Sequence, residues 1–247
     1  MVFSLIISCL SLLILGLTTS ADCWAEDFII ALDIGHTINS PGATSARGVP
    51  EYLFNQNIGI LLHRQLRRDS RFKGSFIINE TGEDISLSAR AAMANQRGAN
   101  LLVSIHHDSV QTKDLSPWFW QGSLLPHCDK FTGYSIFYSE INRRPLDSLI
   151  FAVILGSEML RDGFCPTLHH AEMFRVGDKD LIDETRGIYK YNKLVVLKEA
   201  KMPAVLFECG IIKNRNEELL LGDAMYQHKL VAALFNTIKL FISQPNN

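Results

Sequence analysis

The chain has 247 residues, 47% of them hydrophobic and 20% charged, enough apolar material for the core of one large domain. Its formal net charge is −2, and its Lys and Arg residues gather no further than pairs such as Arg67-Arg68 and Arg143-Arg144, which argues against a broad nucleic-acid-binding face.

The first residues carry a separate signal. Residues 2–17 are almost wholly apolar and lead into Thr18-Thr19-Ser20-Ala21. An apolar core with a small-residue exit reads as a secretory signal peptide over residues 1–25, cleaved after Ala21 or Ala25. The run is also long enough to remain as an anchor. Export is therefore expected, with the periplasm as destination and no stable membrane contact once the leader is removed. Of the five cysteines, Cys9 lies in the leader, cleavage after Ala25 would also remove Cys23, and Cys209 sits in an apolar run as a buried thiol. Cys128 and Cys165 lie in polar connections, where an oxidising compartment would permit a bridge.

After the leader, strand and helix signals alternate. Residues 28–33 form a short apolar run ending at Gly35, as a buried strand does. Residues 52–68 have helical periodicity, 75–78 read as a strand, and 86–97 as a helix capped by Ser86 and stopped by Gly98. Residues 101–105 and 134–138 are strand-like, and 146–161 are helical up to Gly163. Two further apolar strands are expected at 194–197 and 204–207, and a closing amphipathic helix at 224–242. The rhythm predicts an α/β sheet covered by helices on both faces. No linker divides residues 26–247, so they read as a single catalytic domain. Two long connections, 107–132 and 164–191, interrupt the alternation; connections of that length are commonly functional.

Chemistry-bearing residues collect at the strand ends. His36 follows the first strand, His106 the third, and Glu208 the last, while Glu51 opens the first helix. In open α/β sheets ligands bind beyond the carboxyl ends of strands, so these four side chains could converge. A catalytic zinc wants three N or O ligands and an open position for water. Two His and one Glu satisfy that and leave one carboxylate for proton transfer. Each residue alone also fits a plain structural role, a Glu opening a helix being a partner for the helix dipole.

Three blocks carry a resemblance that bears on these roles. Leu32-Asp33-Ile34-Gly35-His36 followed by Pro41-Gly42-Ala43 and Gly48-Val49-Pro50-Glu51 is the first. Ser86-Leu87-Ser88-Ala89-Arg90 with Ala94-Asn95 and Ser104-Ile105-His106 is the second, and residues 203–210 with Asn214 the third. In order and content they resemble the zinc-dependent N-acetylmuramoyl-L-alanine amidases of the type-3 family. The resemblance implies a mixed, mostly parallel six-stranded twisted sheet flanked by helices, one zinc per chain held by His36, Glu51 and His106, and Glu208 as catalytic carboxylate. It implies peptidoglycan as substrate, cut between N-acetylmuramic acid and L-alanine. A zinc peptidase acting on the stem peptide and an inactive wall-binding relative are the alternatives.

The sequence departs from the family at His107-Asp108, where a small residue and Asn are common, and at Gly82, Ile211 and Lys213. Neighbouring strand residues point to opposite faces, so only one of His106 and His107 should reach a metal, and His106 is the choice. His107, Asp108, Arg90, Asn214, His170 and Glu172 are candidate substrate or regulatory contacts. His169-His170 with Glu172 also fit solvated loop residues, and Trp118-Phe119-Trp120 fit either a sugar groove or simple packing. Some amidases of this kind carry an inserted helix over the metal and need a protein activator. Pro166, Gly177 and Gly187 break the corresponding stretch, 164–191, which predicts no helical plug and activity without a partner.

Overall fold

Ile30–Ile34 is a run of five residues, all buried, and forms the strand β1. It lies between Phe76–Ile77 (β2) and Leu101–Asp108 (β3), parallel to both. On the far side of β3, Ala204–Ile211 (β9) also runs parallel. The carboxyl ends of β1, β3 and β9 therefore meet at one edge, which is what places a site there. Ser135–Tyr138 (β6) pairs antiparallel with β9, and Ile188–Tyr191 (β8) and Lys179–Asp183 (β7) complete the order β2-β1-β3-β9-β6-β8-β7. Ser116–Trp120 (β4) and Ser123–His127 (β5) form a separate hairpin. This computed structural model describes residues 27–171 and 179–244; the leader, Cys9, Cys23 and Glu172 lie outside them.

Alternate residues of the central strands divide between two cores. Ile30, Leu32, Ile34, Leu101, Val103, Ile105, Val205 and Phe207 face the helices Glu51–Leu66 (α1), Pro145–Arg161 (α3) and Ala224–Ile242 (α6). Ala31, Leu102, Ala204 and Leu206 face Leu87–Gln96 (α2) and Val195–Glu199 (α4). Strands apolar on both faces need both cores covered, which fixes the three-layer arrangement. The caps act as read from sequence: Ser86 Oγ accepts from Ala89 N at 3.2 Å, and Gly98 takes φ +65° after the helix. Asp223 caps α6 through Tyr226 N at 2.9 Å. No helix among the described residues is long and apolar enough to cross a membrane.

The sheet has seven strands, not six, and three expectations change with it. Residues 194–197 are not a strand: Val195–Glu199 is a short helix whose Val196 and Leu197 cover the second core. A four-residue apolar run does not distinguish a strand from a buried helical turn. The strands gained instead are β7 and β8, inside a segment read as irregular. The bridge between Cys128 and Cys165 is also absent; both are free thiols, Cys128 buried and Cys165 exposed. Cys128 N is tied to Lys213 O at 2.9 Å, whereas Cys165 O accepts from Tyr134 N at 3.1 Å, so each backbone is held by a different partner.

Candidate active site

The site is built from the chain turning sharply after β1. Gly35 N donates to Ile105 O at 3.0 Å, and His36 then takes φ +69°, a left-handed conformation unfavourable for a side-chain-bearing residue. Two buried side chains hold it there. Asn79 Nδ2 and Arg90 Nη2 both donate to His36 O, at 2.5 and 2.7 Å. Arg90 also donates to Asp33 Oδ1 at 2.8 Å and to the carbonyls of Ile34 and Ile85, while Ser104 Oγ donates to Asp33 Oδ2 at 2.7 Å. Arg90 borders the groove, but its guanidinium is directed inward. It braces the backbone of His36.

His36 and His106 meet on one carboxylate oxygen. His36 Nε2 lies 3.0 Å and His106 Nδ1 3.1 Å from Glu51 Oε1. Glu51 opens α1 directly after the His36 loop, and Ala43 N donates to its Oε2 at 3.1 Å. Burial by itself would raise the Glu51 pKa, but hydrogen bonds and charge from His106 and His36 outweigh it and hold the carboxyl well below its usual range. Two glycines make room. A Cβ on Gly35 would lie 2.3 Å from His106 Cε1, and one on Gly42 would lie 2.5 Å from Glu51 Oε2. The approach is too close for any side chain.

Glu208 stands beside this cluster. It is the register partner of His106 on β9, immediately before a β-bulge that sets Asp108 against Ile211. Bulges commonly re-aim side chains near active sites. Glu208 Oε2 is buried and has no hydrogen-bond partner in the structure. Burial, then the charges of Asp108 and Glu51, push its pKa well above the ordinary carboxylate range. A buried carboxyl without a partner is costly unless a ligand supplies one.

Two imidazole nitrogens and one carboxylate oxygen, within 4.8 Å of one another, form a donor set that suits zinc. The His36 side chain is 32% exposed, so the cluster opens to solvent. The opening leads into a groove of about 580 Å³ bordered by Thr37, Ser40, Asp84, Leu87, Val196 and Leu206.

The second histidine pair is organised differently. His170 Nε2 lies 2.6 Å from Asp108 Oδ2, His169 Nε2 lies 3.4 Å from the same oxygen, and Thr167 Oγ1 is 3.0 Å from His169 Nδ1. Lys179 Nζ approaches His170 Nδ1 at 3.1 Å. An ammonium can only donate, so His170 carries its proton on Nε2 and gives it to Asp108. These side chains are buried, not solvated, and they fasten residues 167–171 to the end of β3 with their charge already balanced. Among the described residues of 164–191 there is no α-helix.

Asn214 and Trp118 are hydrogen-bonded within the domain. Asn214 is buried; its Nδ2 donates to the carbonyls of Asp129 and Phe131, and its Oδ1 accepts from Asn216 N and Glu217 N at 3.0 Å. It pins the start of the short helix Glu217–Gly222 (α5). Trp118 packs onto the domain, donating from Nε1 to Ala46 O at 2.8 Å, while Phe119 points outward, 72% exposed. Asn55 and Asn79 were not singled out by the sequence. Each directly follows an apolar residue, Phe54 and Ile78, in an otherwise ordinary pattern, and offers little signal beyond its burial.

A family model described as N-acetylmuramoyl-L-alanine amidase matches residues 30–240. The chain belongs to that family. The matched region contains all four converging residues. A probable N-acetylmuramoyl-L-alanine amidase AmiB of Haemophilus influenzae is 26% identical over 246 residues, covering 93% of this chain and 56% of that protein. The chain thus spans about half the length of that relative. The crystal structure of an N-acetylmuramoyl-L-alanine amidase from Clostridium difficile 630 superposes with a TM-score of 0.70 at 22% identity, covering 90% of this chain and 100% of that one. The CwlD amidase from Clostridioides difficile, solved in complex with the GerS lipoprotein, gives a TM-score of 0.63 at 22% identity, covering 87% and 98%. At these identities the structural likeness concerns the fold.

Proposed function

We propose that the chain is an exported zinc amidase that hydrolyses peptidoglycan at the amide between N-acetylmuramic acid and the L-alanine of the stem peptide. The observation that carries this reading is the meeting of His36, Glu51 and His106 on one oxygen, with the unpartnered carboxyl of Glu208 beside them, in a member of the amidase family. His36, Glu51 and His106 would hold one zinc. Bound there, the ion would polarise the scissile carbonyl, lower the pKa of a water to about 7 and draw the Glu208 proton affinity down. Glu208 takes a proton at its carboxylate from the attacking water and returns it to the departing alanine nitrogen. Typically such transfer contributes about 10²- to 10⁴-fold to the rate. The Arg90–Asn79 brace on the His36 carbonyl and the Asn55 contact to Glu51 hold the ligand side chains in place, and the groove beyond His36 accepts the polymer. Residues 1–25 act as the export signal, cleaved after Ala21 or Ala25, and residues 26–247 as the catalytic domain in the periplasm.

The reading is tested by incubating the purified mature protein with isolated peptidoglycan. Peptide release is expected without any added protein, is expected to stop after chelation, and to return with zinc. Full activity in the chelated protein would contradict the metal assignment. Activity that depends on a second protein would contradict the expectation of independence.

A further inference from the structure

His107 lies outside the chemistry so far described, yet its surroundings are closed and specific. It is 1% exposed and sits on the face of β3 that looks toward α1, its ring 5.4 Å from that of Phe54. Its Nδ1 lies 2.8 Å from Oδ1 of Asn55, which is itself fully buried. Asn55 follows Glu51 by four residues on α1, so the two share a helix face. The Asn55 amide nitrogen donates to Gly35 O at 3.1 Å and to Glu51 Oε1 at 3.2 Å. Both partners are acceptors only, which leaves the amide one orientation: nitrogen toward Glu51, oxygen toward His107. His107 must then donate from Nδ1. The other ring nitrogen, Nε2, is buried and has no hydrogen-bond partner in the structure.

We propose that His107 is a positioning residue for Glu51, its Nδ1–H fixing the Asn55 amide so that Asn55 in turn holds Glu51 Oε1 between His36 and His106. The inference rests on the metal reading above. Filling space does not account for this side chain, because an apolar residue of similar bulk would occupy the same pocket without an unpartnered nitrogen. Without the Nδ1–H, the fully buried Asn55 Oδ1 loses its donor and the amide is held by the two contacts of its nitrogen alone, which loosens its grip on Glu51 Oε1. Outer hydrogen bonds of this kind commonly change metal affinity about 10- to 100-fold.

The test compares His107→Leu and His107→Asn with the wild-type protein. Zinc affinity is measured by competition with a chromophoric chelator, and Tm is measured on the metal-free proteins. The leucine variant is expected to bind zinc about tenfold or more weakly, while its metal-free Tm reads separately the cost of leaving the buried Asn55 Oδ1 without a donor. The asparagine variant, whose Nδ2 can take the place of the imidazole Nδ1, is expected to recover affinity to within about threefold, the residual lying below the range for a lost outer hydrogen bond. Wild-type affinity in the leucine variant, or no recovery with asparagine, would overturn the role. Should the leucine variant fail to fold, Asn55→Ala removes the link itself and must weaken zinc binding by a similar factor; unchanged affinity there would overturn it equally. A wild-type protein that takes up no zinc would overturn the metal reading, and this role with it.

Discussion

Glu208→Gln is expected to retain zinc and to lose at least about 10²-fold in turnover, because an amide cannot accept the proton that the reaction must move. In free-energy terms that is about 2.7 kcal/mol or more of lost transition-state stabilisation. The substitution is unusually clean at this position. Without a bound metal the Glu208 carboxyl is driven toward its neutral form by burial and by Asp108 and Glu51, which outweigh the opposing charge of Lys179, so a neutral amide of the same shape suits the folded chain. Thermal stability of the metal-free variant should therefore match or exceed wild type, and the lost rate cannot be assigned to misfolding. Steady-state kinetics and metal analysis on one preparation check both halves. A near-wild-type rate would remove Glu208 from the mechanism, and loss of zinc would make it a ligand.

Glu51→Ala should have the opposite signature: no stoichiometric zinc and no measurable activity. Its Oε1 is the point on which His36 and His106 converge, and with it gone two imidazoles remain where a catalytic site needs three ligands. The loss extends to the fold. Ala43 N, Asn55 Nδ2 and His107 N all donate to this carboxylate, at 3.1, 3.2 and 3.4 Å. Buried donors left without partners cost about 1–3 kcal/mol each, so a lower metal-free Tm accompanies the lost zinc. Elemental analysis of the purified variant checks the first effect and calorimetry the second. A full complement of zinc in Glu51→Ala would contradict the ligand set.

The parts of this architecture that could be read from the sequence are those with a strong local cause. Ile30–Ile34 and the apolar start of β3 announce buried strands, and a histidine placed directly after such a run falls at the sheet edge by geometry alone. Alternation along β3 also separates His106 from His107 before any coordinates are known. The sorting of Glu51 and Glu208 into different roles came from motif resemblance, because both are simply carboxylates at element ends. Elements without a distinctive pattern were lost. Val195–Glu199 has a run too short for its period to be read, and Lys179–Asp183, Lys-Asp-Leu-Ile-Asp at a sheet edge, has no charged–apolar alternation to announce a strand. The bracing hydrogen bonds of the polar residues could not be read from the sequence for a related reason. Arg90 and Asn214 are expected at a surface by type, and only tertiary packing reveals that their hydrogen bonds run inward to His36 and α5. Asn55 was hidden within the helical pattern of α1.

The most direct test of the central claim is the identity of the bond that is cut. Isolated peptidoglycan should be digested by the zinc-loaded mature protein, and the soluble and insoluble products analysed by mass spectrometry with amino-terminal labelling. The account predicts one class of new amino terminus, alanine, appearing in step with glycan strands whose muramyl lactyl groups have become free carboxylates, and neither product with Glu208→Gln. New amino termini from within the stem peptide, with muramyl lactyl groups still amidated, would contradict it.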